Sequence, residues 1–289
     1  MDQSLFEKIS STSKTALITL YAHSLESQDQ DPILFDEYAV KMTEALSPIL
    51  KNSDSKLLRN LAAGKMGQQL RVHLALRTKK FDATAEAFIE KHPDGIVVNL
   101  GCGFDTRYHR LRQKPFLFVD LDLPEMIEIK RQVVTETESY RLIGQSIFNH
   151  AWIDQIKAYK VPVLFLAEGL FMYLQPSELI PWFKKIAVDF PGSELLFETV
   201  TEKYTRGINQ RIVEFKLRKE IGVEGDVSYH FGLKDSRDLE KISAKFQWIQ
   251  DWSYFDEKHP KAKAMNWMGK FKMFKYVQWT VHYRILEDE

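Results

Sequence analysis

Two glycines and a pair of acids are the residues whose types and spacing best fit chemistry. Gly101 and Gly103 follow a short apolar run, 96–100, and Asp120 and Asp122 end the next apolar run along the chain. Glycine lets the backbone take positive φ and approach a ligand closely. A carboxylate at the tip of the second strand of a parallel sheet can accept hydrogen bonds from both hydroxyls of a ribose. The spacing therefore predicts a site for a cofactor that contains a nucleoside.

The glycine turn differs from that of a dinucleotide-binding protein. Thr106 stands where the fingerprint of NAD-binding folds has its third glycine, so the close approach to a pyrophosphate is not supported. A glycine turn by itself is also common in α/β proteins where it binds nothing. The combination of strand, glycine turn, second strand and terminal acid favours a nucleoside site over a purely structural turn.

Strands and helices are predicted in an order that places these residues at one edge of a sheet. Continuous apolar runs are typical of strands buried on both faces, and they cover 96–100, 116–119, 140–143, 161–166 and 193–200. Two later aromatic segments alternate like an antiparallel pair, 246–255 and 275–286. Helical patterns cover 14–27, 32–46, two segments separated around 77–82, 124–134 and 176–190. This order predicts an α/β fold.

Length and composition exclude several classes of function. The 289 residues suffice for a single domain over 1–289, and Lys plus Arg equals Asp plus Glu at 40 each, so charge indicates neither nucleic acid nor an anionic membrane. Cys102 is the one cysteine, so no intramolecular disulfide is expected, and no Cys/His group has the spacing of a metal site. No signal-like or membrane-spanning run is present, so we expect a cytoplasmic protein with a small-molecule substrate. The sequence indicates no oligomeric state.

Three motifs together resemble a known enzyme family. LGCGFDTR begins at Leu100, DLDLPEMIEIKR begins at Asp120, and AEGLFMYL begins at Ala167. Their order resembles the leucine carboxyl methyltransferase family, and within it the bacterial polyketide O-methyltransferases of the tetracenomycin type. The resemblance implies a class I, Rossmann-like methyltransferase fold, with a seven-stranded, mostly parallel sheet, an antiparallel C-terminal strand and a helical N-terminal cover over 1–94. It also implies S-adenosyl-L-methionine as cofactor and S-adenosyl-L-homocysteine as product.

The resemblance also assigns residues to the cofactor. Arg77, in the string RTKKFD with Asp82, matches an arginine that pairs with the cofactor carboxylate, and a guanidinium fork suits a bidentate carboxylate. Glu168 matches a glutamate beside the methionine part of the cofactor. Ser146 lies near a position where family members often carry an acid for the adenine amino group, and it departs from that pattern. The implied cofactor residues are Arg77, Gly101, Gly103, Asp105, Asp122, Leu123, Ser146, Ile147 and Glu168.

Two segments match the parts of the family that cover the substrate. One is an N-terminal arm, and the other is an insertion over 201–233. If the acceptor needs a base, Tyr204 and His230 are the candidate catalytic residues, although an exposed histidine is more often an ordinary surface residue. Candidates for the lid or for substrate contact are Lys14, Thr15 and Tyr21 in the arm, and Tyr204, Arg206, Tyr229 and His230 in the insertion.

The predicted reaction is methyl transfer to an oxygen of a small or medium acidic metabolite that resembles a polyketide. A carboxylate acceptor is ionised at neutral pH and needs no base, whereas a phenol, with a pKa of about 10, would profit from one. No acid/base pair stands out in the sequence, which favours a carboxylate. Two alternatives stay open: a protein C-terminal carboxylate as the acceptor, and a cofactor-binding protein without turnover.

Overall fold

Seven strands form one sheet in the computed structural model, which describes residues 14–111, 116–216, 228–263 and 275–287. They are β1 (Ile96–Leu100), β2 (Leu117–Asp122), β3 (Tyr140–Gly144), β4 (Val163–Ala167), β5 (Glu194–Val200), β6 (Phe246–Trp252) and β7 (Gln278–Ile285). The spatial order is β3-β2-β1-β4-β5-β7-β6. Strands β1 to β5 are parallel, and β7 is antiparallel to both β5 and β6. The predicted α/β class and the antiparallel C-terminal pairing are confirmed.

Helices cover both faces of the sheet. They are α1 (Ala16–Ser27), α2 (Glu37–Leu50), α3 (Lys56–Ala62), α4 (Gln68–Lys91), α5 (Arg107–Leu111), α6 (Pro124–Lys130), α7 (His150–Lys157), α8 (Pro176–Asp189), α9 (Gly207–Lys216) and α10 (Asp238–Ile242). Successive strand residues point to opposite faces. Val97 therefore packs in the apolar layer that α1, α2, α4 and α6 share, and Val98 packs in the layer of α7, α8 and α10. This double burial explains the continuous apolar runs in the sequence.

The N-terminal helices differ from their predicted bounds in ways that matter for the site. Helix α2 begins at Glu37 rather than at residue 32, because the Asp36 side chain accepts the Ala39 N–H at 2.9 Å and caps the helix. Helix α4 runs without interruption through 77–82, where a separation between two helices was predicted. The chain instead turns before α4, where Gly64 takes a φ of 66°. Residues 73 and 77 therefore lie one turn apart on the same helix.

The predicted substrate cover begins as a short 3₁₀ turn, Glu202–Thr205, followed by α9. Part of that predicted insertion, 217–227, lies outside the described residues. Leu233 returns to the sheet through a parallel bridge with Thr201. Among the residues described, no helix has the length and apolar character needed to cross a bilayer, and no group of three or more His, Cys, Asp or Glu side chains could hold a metal ion.

Candidate cofactor and acceptor site

A cavity of about 570 Å³ lies at the carboxyl ends of β1, β2 and β4. The strand order reverses beside β1, and open α/β sheets bind their ligands at such a point. Helices α1 and α4 lie over the cavity. Strand ends and the turns that follow them supply most of its polar lining, including Asn99, Gly101, Gly103, Asp105, Asp122, Gln145, Ser146, Glu168, Tyr173 and Gln278. The cavity therefore gathers residues from three separate sequence motifs.

The glycine turn needs glycine at both positions. Gly101 and Gly103 have φ of 60° and 49°, in the left-handed region that side chains rarely adopt. A Cβ on Gly101 would lie 2.6 Å from Leu170 Cδ1, and one on Gly103 would lie 2.6 Å from the Cβ of Ala16 in α1. The turn therefore brings bare backbone to the cavity while the N-terminal helix packs against it.

Of the two acids at the end of β2, Asp122 faces the cavity and Asp120 is structural. Asp120 accepts hydrogen bonds from the Asn99 amide at 2.9 Å and the Tyr140 hydroxyl at 2.6 Å, and Lys130 Nζ lies 2.7 Å away. Asp122 accepts only backbone N–H groups, from Gly103 and Leu123, each at 2.7 Å. Burial raises the pKa of Asp122 above its ordinary value. Its carboxylate is thus held by the glycine turn and lines the cavity.

Arg77 is a buried bridge between two glutamates. Its Nε donates to Glu168 Oε1 at 2.8 Å, and its Nη1 donates to Glu198 Oε2 at 2.9 Å. Its Nη2 lies 3.4 Å from the Thr19 hydroxyl. The guanidinium fork that was predicted to hold a cofactor carboxylate is therefore already engaged by protein carboxylates. Contact with the cofactor stays a prediction, and Nη2 is the nitrogen with donors left for it.

Glu168 is held by three donors. Arg77 and the Thr78 hydroxyl, the latter at 3.0 Å, donate to Oε1, and Arg107 Nη2 donates to Oε2 at 2.5 Å. Burial alone would raise the pKa of Glu168, but the charges of Arg77 and Arg107 lower it. Glu168 therefore lines the cavity as an ionised group in a fixed position.

Arg107 ties the glycine turn to β4 and was not singled out from the sequence. This arginine is almost fully buried and ion-pairs with Asp82, Asp105 and Glu168. Arg110 also pairs with Asp82 and Asp105. The sequence signal was present, because Arg107 ends the LGCGFDTR motif, but its partners lie far apart in the chain. Asp82 thus orients these arginines and does not line the cavity.

The turn after β3 supplies a polar atom that the sequence reading missed. Ser146 and Ile147 line the cavity as predicted positions, but the Ser146 hydroxyl already accepts the Phe148 N–H at 3.3 Å. Gln145 lies beside them, and its N–H donates to the Asp122 carbonyl at 2.9 Å. Its buried Oε1 has no hydrogen-bond partner in the described part of the chain. An unpaired buried amide oxygen is a ready acceptor for a ligand N–H.

The predicted substrate and catalytic residues are only partly brought to the cavity. Tyr229 and Thr15 line it, whereas the side chains of Tyr204, Arg206 and His230 do not. Arg206 is exposed and pairs with Glu202. Tyr21 is buried in α1, and its hydroxyl lies 2.9 Å from Ser47 Oγ, away from the cavity. The structure thus places Tyr21, Tyr204, Arg206 and His230, together with Lys14, outside the cavity lining.

Two cavity histidines and one tyrosine were not predicted as site residues. His23 comes from α1, His73 from α4, and Tyr173 from the segment after β4. Tyr173 was expected to serve packing only. Its ring lies 5.5 Å from the ring of Tyr229 between centroids, and their hydroxyls share a hydrogen bond. Helical and apolar patterns hide such residues, because their contacts form only when the cover folds over the sheet.

The fold and the cavity define a Rossmann-like α/β protein with a nucleoside site at its topological switch point. Residues 16–187 match the family described as leucine carboxyl methyltransferase, and the chain belongs to that family. The chain is 26% identical over 250 residues to the tetracenomycin polyketide synthesis O-methyltransferase TcmP of Streptomyces glaucescens, which covers 86% of this chain and 85% of that protein.

Other comparisons agree with this assignment. A protein of Mycobacteroides abscessus named as an S-adenosyl-L-methionine-dependent methyltransferase is 32% identical, covering 76% of this chain and 77% of that protein. The crystal structure of a DUF574 family protein from Streptomyces avermitilis shares the fold, with a TM-score of 0.56 at 10% identity, covering 94% of this chain and 97% of that chain. The chain is therefore a methyltransferase, and its cofactor is S-adenosyl-L-methionine.

The residues present fit that cofactor. Asp122 offers carboxylate oxygens that a ribose can use, and Gln145 offers an unpaired oxygen next to the predicted adenine position. The glycine turn leaves room where a Cβ would collide. Glu168 supplies negative charge toward an ammonium group. The contacts of each residue with the cofactor stay predictions, but the cavity has the donors, acceptors and charges that the cofactor requires.

Proposed function

We propose that the chain transfers the methyl group of S-adenosyl-L-methionine to an oxygen of a small or medium acidic metabolite. The observation that carries this proposal is the continuity of the cavity. It extends from Asp122 and Ser146, on the β2 and β3 side, past Glu168 to Tyr229 and Gln278, near β5 and β7. One cavity can therefore hold a cofactor at the first end and an acceptor at the second.

Acceptance by oxygen rests on similarity. TcmP carries O-methyltransferase in its name, and this chain covers most of its length. A volume of about 570 Å³ falls within the range of about 300–1,000 Å³ common for small-molecule sites. This size, with α1 and α4 over the cavity, supports a metabolite as acceptor rather than the C-terminus of a folded protein.

The residues have distinct proposed roles. Asp122 accepts the ribose hydroxyls, Gln145 and Ser146 meet the adenine edge, and Ile147 packs on the ring. Glu168 faces the amino group, while the Arg77 Nη2 side faces the carboxylate. Gly101 and Gly103 give the methionine part its path along the turn. Each role uses a side chain or backbone segment that lines the cavity.

The protein's task in the reaction is alignment. When bound, the cofactor supplies a methyl group on a sulfonium, which is already an activated donor. The chain orients the acceptor oxygen in line with that methyl carbon and excludes water through the α1 and α4 cover. Orientation of reactants can lower a barrier by about 7–11 kcal/mol at most. No residue of the chain needs to form a covalent bond.

Calorimetric titration with S-adenosyl-L-methionine tests the proposal, followed by a mass-spectrometric search for methylated products among phenols and carboxylic acids. We expect micromolar binding by the native chain. Arg77→Ala should weaken binding by more than tenfold, about 1.4 kcal/mol, because it removes a cation and frees two buried glutamates. Arg206→Ala is the matched control, since that side chain is exposed and outside the cavity. Absence of binding by the native chain would refute the proposal.

A further inference from the structure

His73 occupies a distinctive position in the acceptor half of the cavity. It lies one turn before Arg77 on α4 and lines the cavity. Its ring packs on Tyr254, with centroids 4.1 Å apart and planes 35° apart. This contact fixes the plane of the ring without using either nitrogen. His73 is therefore held in the cavity by packing alone.

The ring nitrogens distinguish His73 from the other histidine of the cavity. His23 Nε2 lies 2.9 Å from the Thr78 hydroxyl, and its Nδ1 lies 3.4 Å from Asp36 Oδ2. Both nitrogens of His23 are thus engaged. No hydrogen bond joins either nitrogen of His73 to any residue within 14–111, 116–216, 228–263 or 275–287. Of the two, His73 is the one whose nitrogens can meet a ligand.

Charge in this half of the cavity disfavours an anionic acceptor. Arg77 is the one lysine or arginine among the described lining residues, and it lies between Glu168 and Glu198. Burial and the proximity of Glu168 raise the pKa of Glu198 even though Arg77 opposes them. Negative charge is therefore already in excess here, and no further cation waits for a carboxylate.

The tyrosines of this half are neutral. Burial, then the charge of Glu198, raises the pKa of Tyr173 to about 12, and the pKa of Tyr229 is raised well above its ordinary value by the same burial. They can donate or accept hydrogen bonds, but they do not supply a phenolate base near neutral pH. Proton acceptance in this part of the cavity falls to an imidazole.

We infer that the methyl acceptor is a neutral hydroxyl, such as a phenol or enol, and that His73 accepts its proton. This inference rests on the proposed function. The acceptor oxygen forms the new bond to the methyl carbon while the bond between that carbon and sulfur breaks, and its electron pair stays on sulfur. The hydroxyl proton passes to His73 and then to solvent, so the products are a methyl ether and S-adenosyl-L-homocysteine.

The environment keeps His73 ready for this role. Burial, followed by the neighbouring charge of Arg77, lowers the pKa of His73 to about 3. The ring is therefore unprotonated throughout the neutral range and is always able to accept a hydrogen bond or a proton. A carboxylate acceptor would need no such group, since it carries no proton at neutral pH.

Binding to the complex with S-adenosyl-L-homocysteine tests the inference directly. We would titrate the saturated chain with 2-naphthol and with 2-naphthoate, which share a ring system and differ in the acceptor group. His73→Phe keeps a flat ring against Tyr254 but removes both nitrogens. His73→Gln keeps a hydrogen-bond acceptor that cannot take up a proton. His150→Phe, at the exposed start of α7, is the matched control.

The native complex should bind 2-naphthol at least tenfold more tightly than 2-naphthoate. His73→Phe should lose about tenfold for 2-naphthol and leave 2-naphthoate unchanged. His73→Gln should retain 2-naphthol binding but transfer the methyl group at less than one tenth of the native rate. Equal or tighter binding of 2-naphthoate, no binding or no methylation of 2-naphthol, or a His73→Phe result equal to that of His150→Phe would overturn the inference. Failure of the native chain to bind S-adenosyl-L-homocysteine would instead refute the proposed function.

Discussion

The two halves of the cavity are built in different ways. In the cofactor half, Gly103 and Asp122 are 19 residues apart and meet within one β-α-β unit. In the acceptor half, Arg77 meets Glu168 and Glu198 across 91 and 121 residues. A local motif therefore constructs the first half, while packing of the helical cover on the sheet constructs the second. The cofactor half is readable as a motif, and the acceptor half is readable only as a structure.

Arg107 joins the two halves, and its removal should produce the largest effect. Arg107→Leu would leave Asp82, Asp105 and Glu168 buried without one of their cations. Loss of one partner from a buried ion pair costs about 3–5 kcal/mol. We expect a loss of that size in the free energy of unfolding, measured by denaturant titration.

The matched control for Arg107 is an exposed arginine. Arg206→Leu removes a surface ion pair with Glu202, and such pairs contribute about 0–1 kcal/mol. If both substitutions changed stability by the same small amount, Arg107 would not link the halves.

The contact between the glycine turn and α1 should give the next largest effect. Gly103→Ala places a Cβ 2.6 Å from Ala16 and forces a side chain into the left-handed region. We expect a loss of about 1–3 kcal/mol in stability and weaker binding of S-adenosyl-L-homocysteine. Gly67→Ala is the control, because no atom lies within 4 Å of its added Cβ. Thermal unfolding that shifts equally in both variants would contradict the close approach.

The adenine edge separates Gln145 from Ser146. Gln145→Leu removes the unpaired Oε1, and a lost hydrogen bond is worth about 0.5–1.5 kcal/mol. Calorimetry should show weaker binding of S-adenosyl-L-homocysteine and no remaining preference over its inosine analogue, which lacks the amino group. Ser146→Ala should change affinity less, since its hydroxyl already accepts a backbone N–H. The reverse order would return the adenine contact to Ser146.

Affinity near neutral pH should depend least on protonation of Asp122. Burial raises the pKa of Asp122 above 3.8, and ribose hydroxyls favour the ionised carboxylate. Affinity for S-adenosyl-L-homocysteine should therefore be full at neutral pH and fall as pH drops through the raised value. The same shift makes this group favour folding most below 3.8, an effect lost as pH rises through its folded pKa. A calorimetric pH series should show the decline in the native chain and not in Asp122→Asn.

The sequence predicted the fold because its signals are local. Apolar runs mark β1 to β5, and alternation marks β6 and β7, so the sheet could be drawn before its topology was known. The start of α2 could not be predicted, because it depends on capping by Asp36 rather than on the helix-starting position of Pro32. Helix α4 carries no strong break signal at 77–82, and its continuity is set by packing over the sheet.

The site was predictable to the extent that one motif carries it. Gly101, Gly103, Asp122 and Glu168 all line the cavity, as their motifs indicated. His73, Gln145 and Tyr173 have no such motif, and their access to the cavity depends on the cover and on turn geometry. Tyr204 and His230 were chosen for residue type in an insertion, and residue type alone does not determine which side chain faces a cavity.

Calorimetric titration of S-adenosyl-L-homocysteine into the native chain, Asp122→Ala and His73→Phe tests the division of the cavity most directly. Asp122→Ala should lose more than tenfold in affinity, about 1.4 kcal/mol, because its carboxylate belongs to the cofactor half. His73→Phe should bind within about threefold of the native chain, less than one tenfold step of 1.4 kcal/mol, because its ring belongs to the acceptor half. Equal losses in both variants, or no loss in Asp122→Ala, would contradict the division into a cofactor half and an acceptor half.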